Sequence, residues 1–335
     1  MPMLQRLLPR STIPALSTSE PTMISAALSM LLFAAPADVQ VSHRRVITGD
    51  GASLGLHRFL PPGGGVLQPP VLLLADVGFG RPLYDFKGTG LARWLAARGR
   101  AVYVAELRGQ GASDAGHSLR TIVHLDLPAI AHAISLERSG PIDLVAQGFV
   151  GTLAIAATTK ELQVRRVIAL NTPVEAEPPT ELARAFLSEG GHFSSLASSP
   201  EGFAMFEQLF AMGAQIDPTV LHGIAGTTRD LTRGVSSELL TWMETGDLPL
   251  DDGTTVVARL RESDRPTLLL LGIADGFAPS ETCAPLRELT KGKVEVRVFS
   301  RVAEGDDFAH ASMLLGKYAP TTVFPLIERF LSEPR

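Results

Sequence analysis

Short apolar runs bounded by Gly, Pro or Asp alternate along much of this chain with longer stretches of helical period, a pattern that predicts strand–helix–strand units and a mostly parallel sheet. Val41 to Thr48 and Ser53 to Leu60 read as an antiparallel opening pair around the turn at Gly51. Val71-Leu72-Leu73-Leu74 is apolar throughout, so it reads as the first strand buried on both faces. A helix over Tyr84 to Arg98 follows, closed by Gly99, and then the strand Ala101 to Ala105. The next predicted elements are a helix over Leu127 to Leu136, a strand over Pro141 to Val145, a helix over Phe149 to Thr158 and a strand over Val164 to Leu170. From Pro173 to Asp264 the alternation stops, and this stretch reads as inserted helices that include the apolar run Phe203 to Met212. The alternation resumes with a strand at Thr267 to Leu271, a helix near Ala284 to Thr290, a strand at Val294 to Phe299 and a last helix from Thr322 to Leu331.

With 335 residues, 45% of them hydrophobic, the chain can bury a large core and fits one elaborated domain better than two independent ones. The expected division is an amino-terminal segment over 1–40, a core over 41–173 and 265–335, and a helical cap over 174–264. The net charge of -5 comes from 30 basic and 35 acidic residues with no Lys/Arg run, which argues against nucleic acid as a partner. One cysteine, Cys283, excludes an intrachain disulfide and a multi-cysteine metal site. The histidines outside the site discussed below lack the i, i+4 partners of a metal ligand set, and Gly78-Phe79-Gly80 and Gly88-Thr89-Gly90 lack the spacing of a nucleotide loop. No metal and no cofactor is expected. The apolar stretch Met23 to Ala35 is too short for an integral membrane span. It reads as an arm or helix packed on the domain, with a cytoplasmic protein favoured, or alternatively as part of an export signal.

One segment carries the candidate chemistry. Leu144-Val145-Ala146-Gln147-Gly148-Phe149-Val150-Gly151 combines a strand, a tight turn of small residues and an immediate helix, the layout that lifts a nucleophile to the carboxyl edge of a sheet. It resembles the G-x-S-x-G elbow of α/β-hydrolase esterases and lipases, with Ala146 at the first glycine and Gly148 at the serine. Glu106-Leu107-Arg108-Gly109-Gln110-Gly111 is similar to a loop of that family, Gly272 to Pro279 to its acid loop, and Phe308 to Lys317 to its histidine loop. The resemblance covers the chain from about Val41 to its end. It implies an α/β-hydrolase fold, with Asp275 and His310 at the acid and histidine positions and the Val77 and Phe149 amides at the oxyanion hole.

Glycine at 148 offers no hydroxyl for His310 to deprotonate and nothing to acylate. The stretch Leu74-Ala75-Asp76-Val77-Gly78 also departs from the His-Gly usual in related esterases, and an inward Asp76 would oppose an oxyanion. The chain therefore reads as a noncatalytic or altered relative, with a pocket under its cap for a small apolar or acyl-type ligand and Asp76, Gln147, Phe206 and Phe210 as lining candidates. The first alternative is an enzyme in which the Asp275–His310 dyad serves as general base on water or substrate. The second is a disabled form of an active carboxylesterase.

Overall fold

Eight strands form one sheet in the order β1-β2-β4-β3-β5-β6-β7-β8, seen in a computed structural model that describes residues 39–63, 68–174, 181–213 and 215–334. The segment read as an arm or leader lies outside the described residues. β1 (Gln40–Ile47) and β2 (Ser53–Leu60) form the expected antiparallel hairpin. Its turn needs Gly51, whose φ of 87° lies in the left-handed region that a side chain disfavours. β2 is also antiparallel to β4 (Val102–Glu106), and every later pairing is parallel.

β3 (Val71–Leu74), β5 (Ile142–Gln147) and β7 (Thr267–Gly272) are buried along their whole length. Helices cover both faces, so nothing in these strands selects for polar alternation. β6 (Val164–Leu170) lies between β5 and β7, and β8 (Val294–Phe299) is the far edge strand.

Helix boundaries depart from expectation where glycine or proline intervenes. The helix expected over Tyr84 to Arg98 is only α1 (Leu91–Ala96), because Gly88 and Gly90 take φ of 88° and 136° and hold the preceding chain as loop. α2 (Leu127–Ser135) and α3 (Gly148–Ala157) match their predictions closely. The helix expected near Ala284 to Thr290 is instead two single turns, Ser280–Cys283 and Leu286–Leu289, on either side of Pro285. Between β6 and β7 the described residues form α4 (Glu181–Ser188), α5 (Phe193–Ser198), α6 (Pro200–Phe210), α7 (Pro218–Ala225), α8 (Arg233–Thr245) and α9 (Val256–Glu262). α10 (Ala319–Ser332) closes the chain. The described residues from Val39 onward form one compact unit.

The order β4-β3-β5 marks the point where successive strands begin to be added on the opposite side of β3. Loops leaving the carboxyl ends of β3 and β5 diverge there and leave a crevice, the usual place for a site in an open parallel sheet.

Candidate active site

Register brings the first two site residues together. Leu74 of β3 pairs with Ala146 of β5, so Asp76 and Gly148, each two residues further on, leave the sheet opposite one another. Gly148 has φ of 59°, the strained turn of an elbow, and begins α3. A Cβ placed on it would stand 1.8 Å from Asp76 Oδ2 and 2.0 Å from Asp76 Cγ. The carboxylate of Asp76 thus fills the space into which a residue-148 side chain would project.

Hydrogen bonds fix this carboxylate in place. The Val77 amide donates to Asp76 Oδ1 at 2.8 Å, and the Val150 amide, in the first turn of α3, donates to the same oxygen at 3.2 Å. Unpaired amides at a helix start attract anions, and here the anion is the chain's own. Val77 is one of the two expected oxyanion donors. The amide that joins it is that of Val150, while Phe149, the other expected donor, packs its ring against Trp242 and Phe277. Gln110 braces the Asp76 loop by donating from Nε2 to the Ala75 and Asp76 carbonyls at 3.0 Å each, and its Oε1 accepts from the Leu107 amide.

His310 faces both carboxylates. Its Nδ1 lies 2.8 Å from Asp275 Oδ2, and its Nε2 lies 3.4 Å from Asp76 Oδ2. The second approach is off line for a hydrogen bond, leaving Nε2 and Oδ2 as buried polar atoms without a hydrogen-bonding partner. Asp275 is held from three further sides: the Phe277 and Ala278 amides donate to Oδ1, and Asn171 Nδ2 donates to Oδ2 at 2.5 Å. Asn171 also accepts from the Gly272 amide through its Oδ1, tying the end of β6 to the end of β7. Gln147 Nε2 donates to the His310 carbonyl at 2.5 Å, so this residue supports the histidine loop.

Burial sets the electrostatics. Asp76 and His310 have 0% of their surface exposed. Loss of water pushes the Asp76 carboxyl up to about 6, against the pull of His310 and of its two amide donors. Burial alone would depress the His310 imidazole, but the charge and hydrogen bond of Asp275, helped by Asp76, hold it above its ordinary value. Two carboxylates around one imidazole favour its imidazolium form.

Aromatic rings close the space above. Phe79, Phe210 and Phe277 lie with ring centroids 5.8, 5.7 and 5.8 Å from that of His310. Phe206 touches Phe79 and Phe210, and Phe193 stacks on Phe210. Phe193 also lies over Gly78, where a Cβ would come within 2.3 Å of its ring. The two lining candidates from the inserted helices, Phe206 and Phe210, are fully buried, and Phe210 packs directly against the His310 ring.

Asn171 and Gln110 escaped the sequence reading. Asn171 carried one signal, a polar residue at the carboxyl end of a buried strand, and it adopts φ of 42°, unusual for a non-glycine. Gln110 lies in the loop after β4, and nothing in its spacing points to the loop after β3 that it braces.

No protein-family model matches this sequence, and no curated protein matches it. Solved structures do. An esterase from Exiguobacterium antarcticum superposes with a TM-score of 0.64 at 15% identity, over 87% of this chain and 100% of that one. A hydrolase from Pseudomonas aeruginosa does so with 0.61 at 18%, over 87% and 99%. An alpha/beta hydrolase from Sphaerobacter thermophilus gives 0.53 at 19%, over 86% and 100%. The chain has the α/β-hydrolase fold. Gly148 follows the end of β5, Asp275 and His310 come later in the chain, and Asp76 lies on the loop after β3. No helix among the described residues is long and apolar enough to cross a membrane.

Proposed function

We propose that this chain is a noncatalytic relative of the α/β-hydrolase esterases and lipases, whose former reaction centre is a sealed ion cluster of Asp76, His310 and Asp275. One observation carries the reading: the Asp76 carboxylate lies 1.8 Å from where a Cβ of residue 148 would stand, gripped by the Val77 and Val150 amides. A carboxylate there excludes both the nucleophile and the oxyanion of acyl transfer. The burial of His310 under Phe79, Phe210 and Phe277 supports the same reading, since a general base must reach water or substrate. The dyad alternative requires Asp76 to withdraw from His310 and the rings to part. An apolar or acyl-type ligand at this place likewise requires Phe206 and Phe210 to move.

A fluorophosphonate probe and short p-nitrophenyl esters test the proposal. Wild type is expected to show no labelling and no turnover above background. Gly148→Ser alone stays inert, because its side chain collides with Asp76, whereas Gly148→Ser with Asp76→Gly labels at least about tenfold more than the single variant. Turnover by the wild type that disappears in His310→Ala would overturn the proposal. Full labelling of Gly148→Ser alone would instead favour the recently disabled carboxylesterase.

A further inference from the structure

At the far edge of the sheet β8 reads Val294-Glu295-Val296-Arg297-Val298-Phe299, with no strand beyond it among the described residues. Edge strands that stay monomeric are usually shortened, bulged, interrupted by proline, loaded with charge of one sign or covered, whereas the charges of β8, Glu295 and Arg297, are opposite. This one has a continuous parallel register with β7 through all six residues, contains no proline, and leaves Val296 and Val298 37% and 45% exposed.

The direction of its free backbone groups follows from the pairing with β7. The Thr267 amide donates to the Lys293 carbonyl and the Ile273 amide to the Phe299 carbonyl, so odd-numbered residues of β8 turn their backbone toward β7. Alternation then turns the amides and carbonyls of Val294, Val296 and Val298 outward, onto the open edge.

We infer that β8 is a self-complementary edge through which two copies of this chain pair antiparallel, about a two-fold axis at Val296. With Val296 opposite its own copy, Val294 falls opposite Val298, and these are the residues whose backbone groups are free to exchange hydrogen bonds. Glu295 then falls opposite Arg297 twice over, at the closer, non-hydrogen-bonded positions where side chains meet most tightly. The valines of the two strands form a shared apolar strip on one face of the joined sheet. A shift of register by one residue breaks both the charge pairing and the backbone match, so the sequence selects this alignment. Within one chain Lys293 pairs with Glu295 at 2.7 Å, an exposed contact that costs little to rearrange, while Arg297 holds the buried side chain of Glu304 through Nη2 at 2.5 Å and is itself half exposed, so the cross-axis pairing uses the rest of its guanidinium. An isologous contact of this kind closes on itself and stops at two copies.

Sedimentation velocity over a concentration series of the full chain provides the test. Wild type is expected to shift from monomer to dimer as concentration rises. Glu295→Arg, which sets Arg against Arg297 across the axis, and Arg297→Glu, which sets Glu against Glu295, are each expected to weaken the dimer about tenfold or more. Mixing the two variants restores every pair as opposite charges, so a heterodimer of near wild-type affinity is expected from two chains that fail alone. If either variant melts early, Val296→Lys, which places two lysines on the axis, provides the same loss. The proposal is overturned by a wild type that remains monomeric at its highest soluble concentration, by a dimer unaffected in Glu295→Arg and Arg297→Glu, or by failure of the mixture to associate.

Discussion

One match of volume and charge defines the centre of this molecule: residue 148 has no side chain, and the carboxylate of residue 76 occupies the space into which one would project. Neither residue is intelligible alone. Glycine at a left-handed elbow looks like a simple deletion of the nucleophile, and aspartate after β3 looks like a poor oxyanion loop, but the pair forms one packed unit. A buried carboxylate costs stability once it ionises. The Asp76 carboxyl is raised to about 6 from an ordinary 3.8, so its cost is absent below about pH 4, grows between there and pH 6, and is complete above. Asp76→Asn keeps the shape and the bonds from Val77 and Val150 but cannot ionise. It is expected to match wild type near pH 4 and to exceed it by up to roughly 3 kcal/mol at pH 7 to 8 in urea unfolding, a difference set by the size of the shift. A variant less stable than wild type at pH 7 would show that the ion cluster repays its desolvation. The His310 contribution runs the same way with pH: its pKa is raised, so its stabilisation is full below 6.5 and drains away as pH climbs through the folded value.

Elements act here by what they carry over the crevice. α6 brings Phe206 and Phe210 down onto rings supplied by the core loops, Phe79 and Phe277, and α5 adds Phe193 from the side. The helical period of Phe203 to Met212 made an apolar face legible in advance, but a lid over an empty cavity and a plug in a filled one share that period. Phe210→Ala tests the plug. Removing a ring in contact with Phe79, Phe193, Phe206, Phe277 and His310 is expected to cost about 3–5 kcal/mol and to leave a cavity against the histidine. A small apolar probe such as indole should then raise the melting temperature of the variant and leave wild type unchanged. Equal responses of the two proteins would mean that the rings do not fill the site.

Core and inserted helices form one compact unit, and the Phe cluster ties them at the centre of it. The whole unit is therefore expected to unfold in one cooperative transition, with near-ultraviolet and far-ultraviolet dichroism superimposing through the melt. An earlier loss of the near-ultraviolet signal, with the sheet still intact, would mean that the cap melts on its own.

The fold was legible because its code is local. Strands buried on both faces must be apolar throughout, and glycine and proline mark where they stop, so β3, β5 and β7 and the elbow between β5 and α3 could be read one window at a time. Asp275 and His310 were legible as a pair through their order after successive strands, and they do meet at 2.8 Å. Three matters were beyond any window. The stand-off between Asp76 and Gly148 depends on β3 and β5 being neighbours in register, which couples residues far apart in the chain. The bracing by Gln110 and Asn171 depends on loops converging at the sheet's carboxyl edge. Whether the apolar cap encloses space or fills it depends on how rings from separate elements interlock, a matter of volume in three dimensions that periodicity along one chain does not encode.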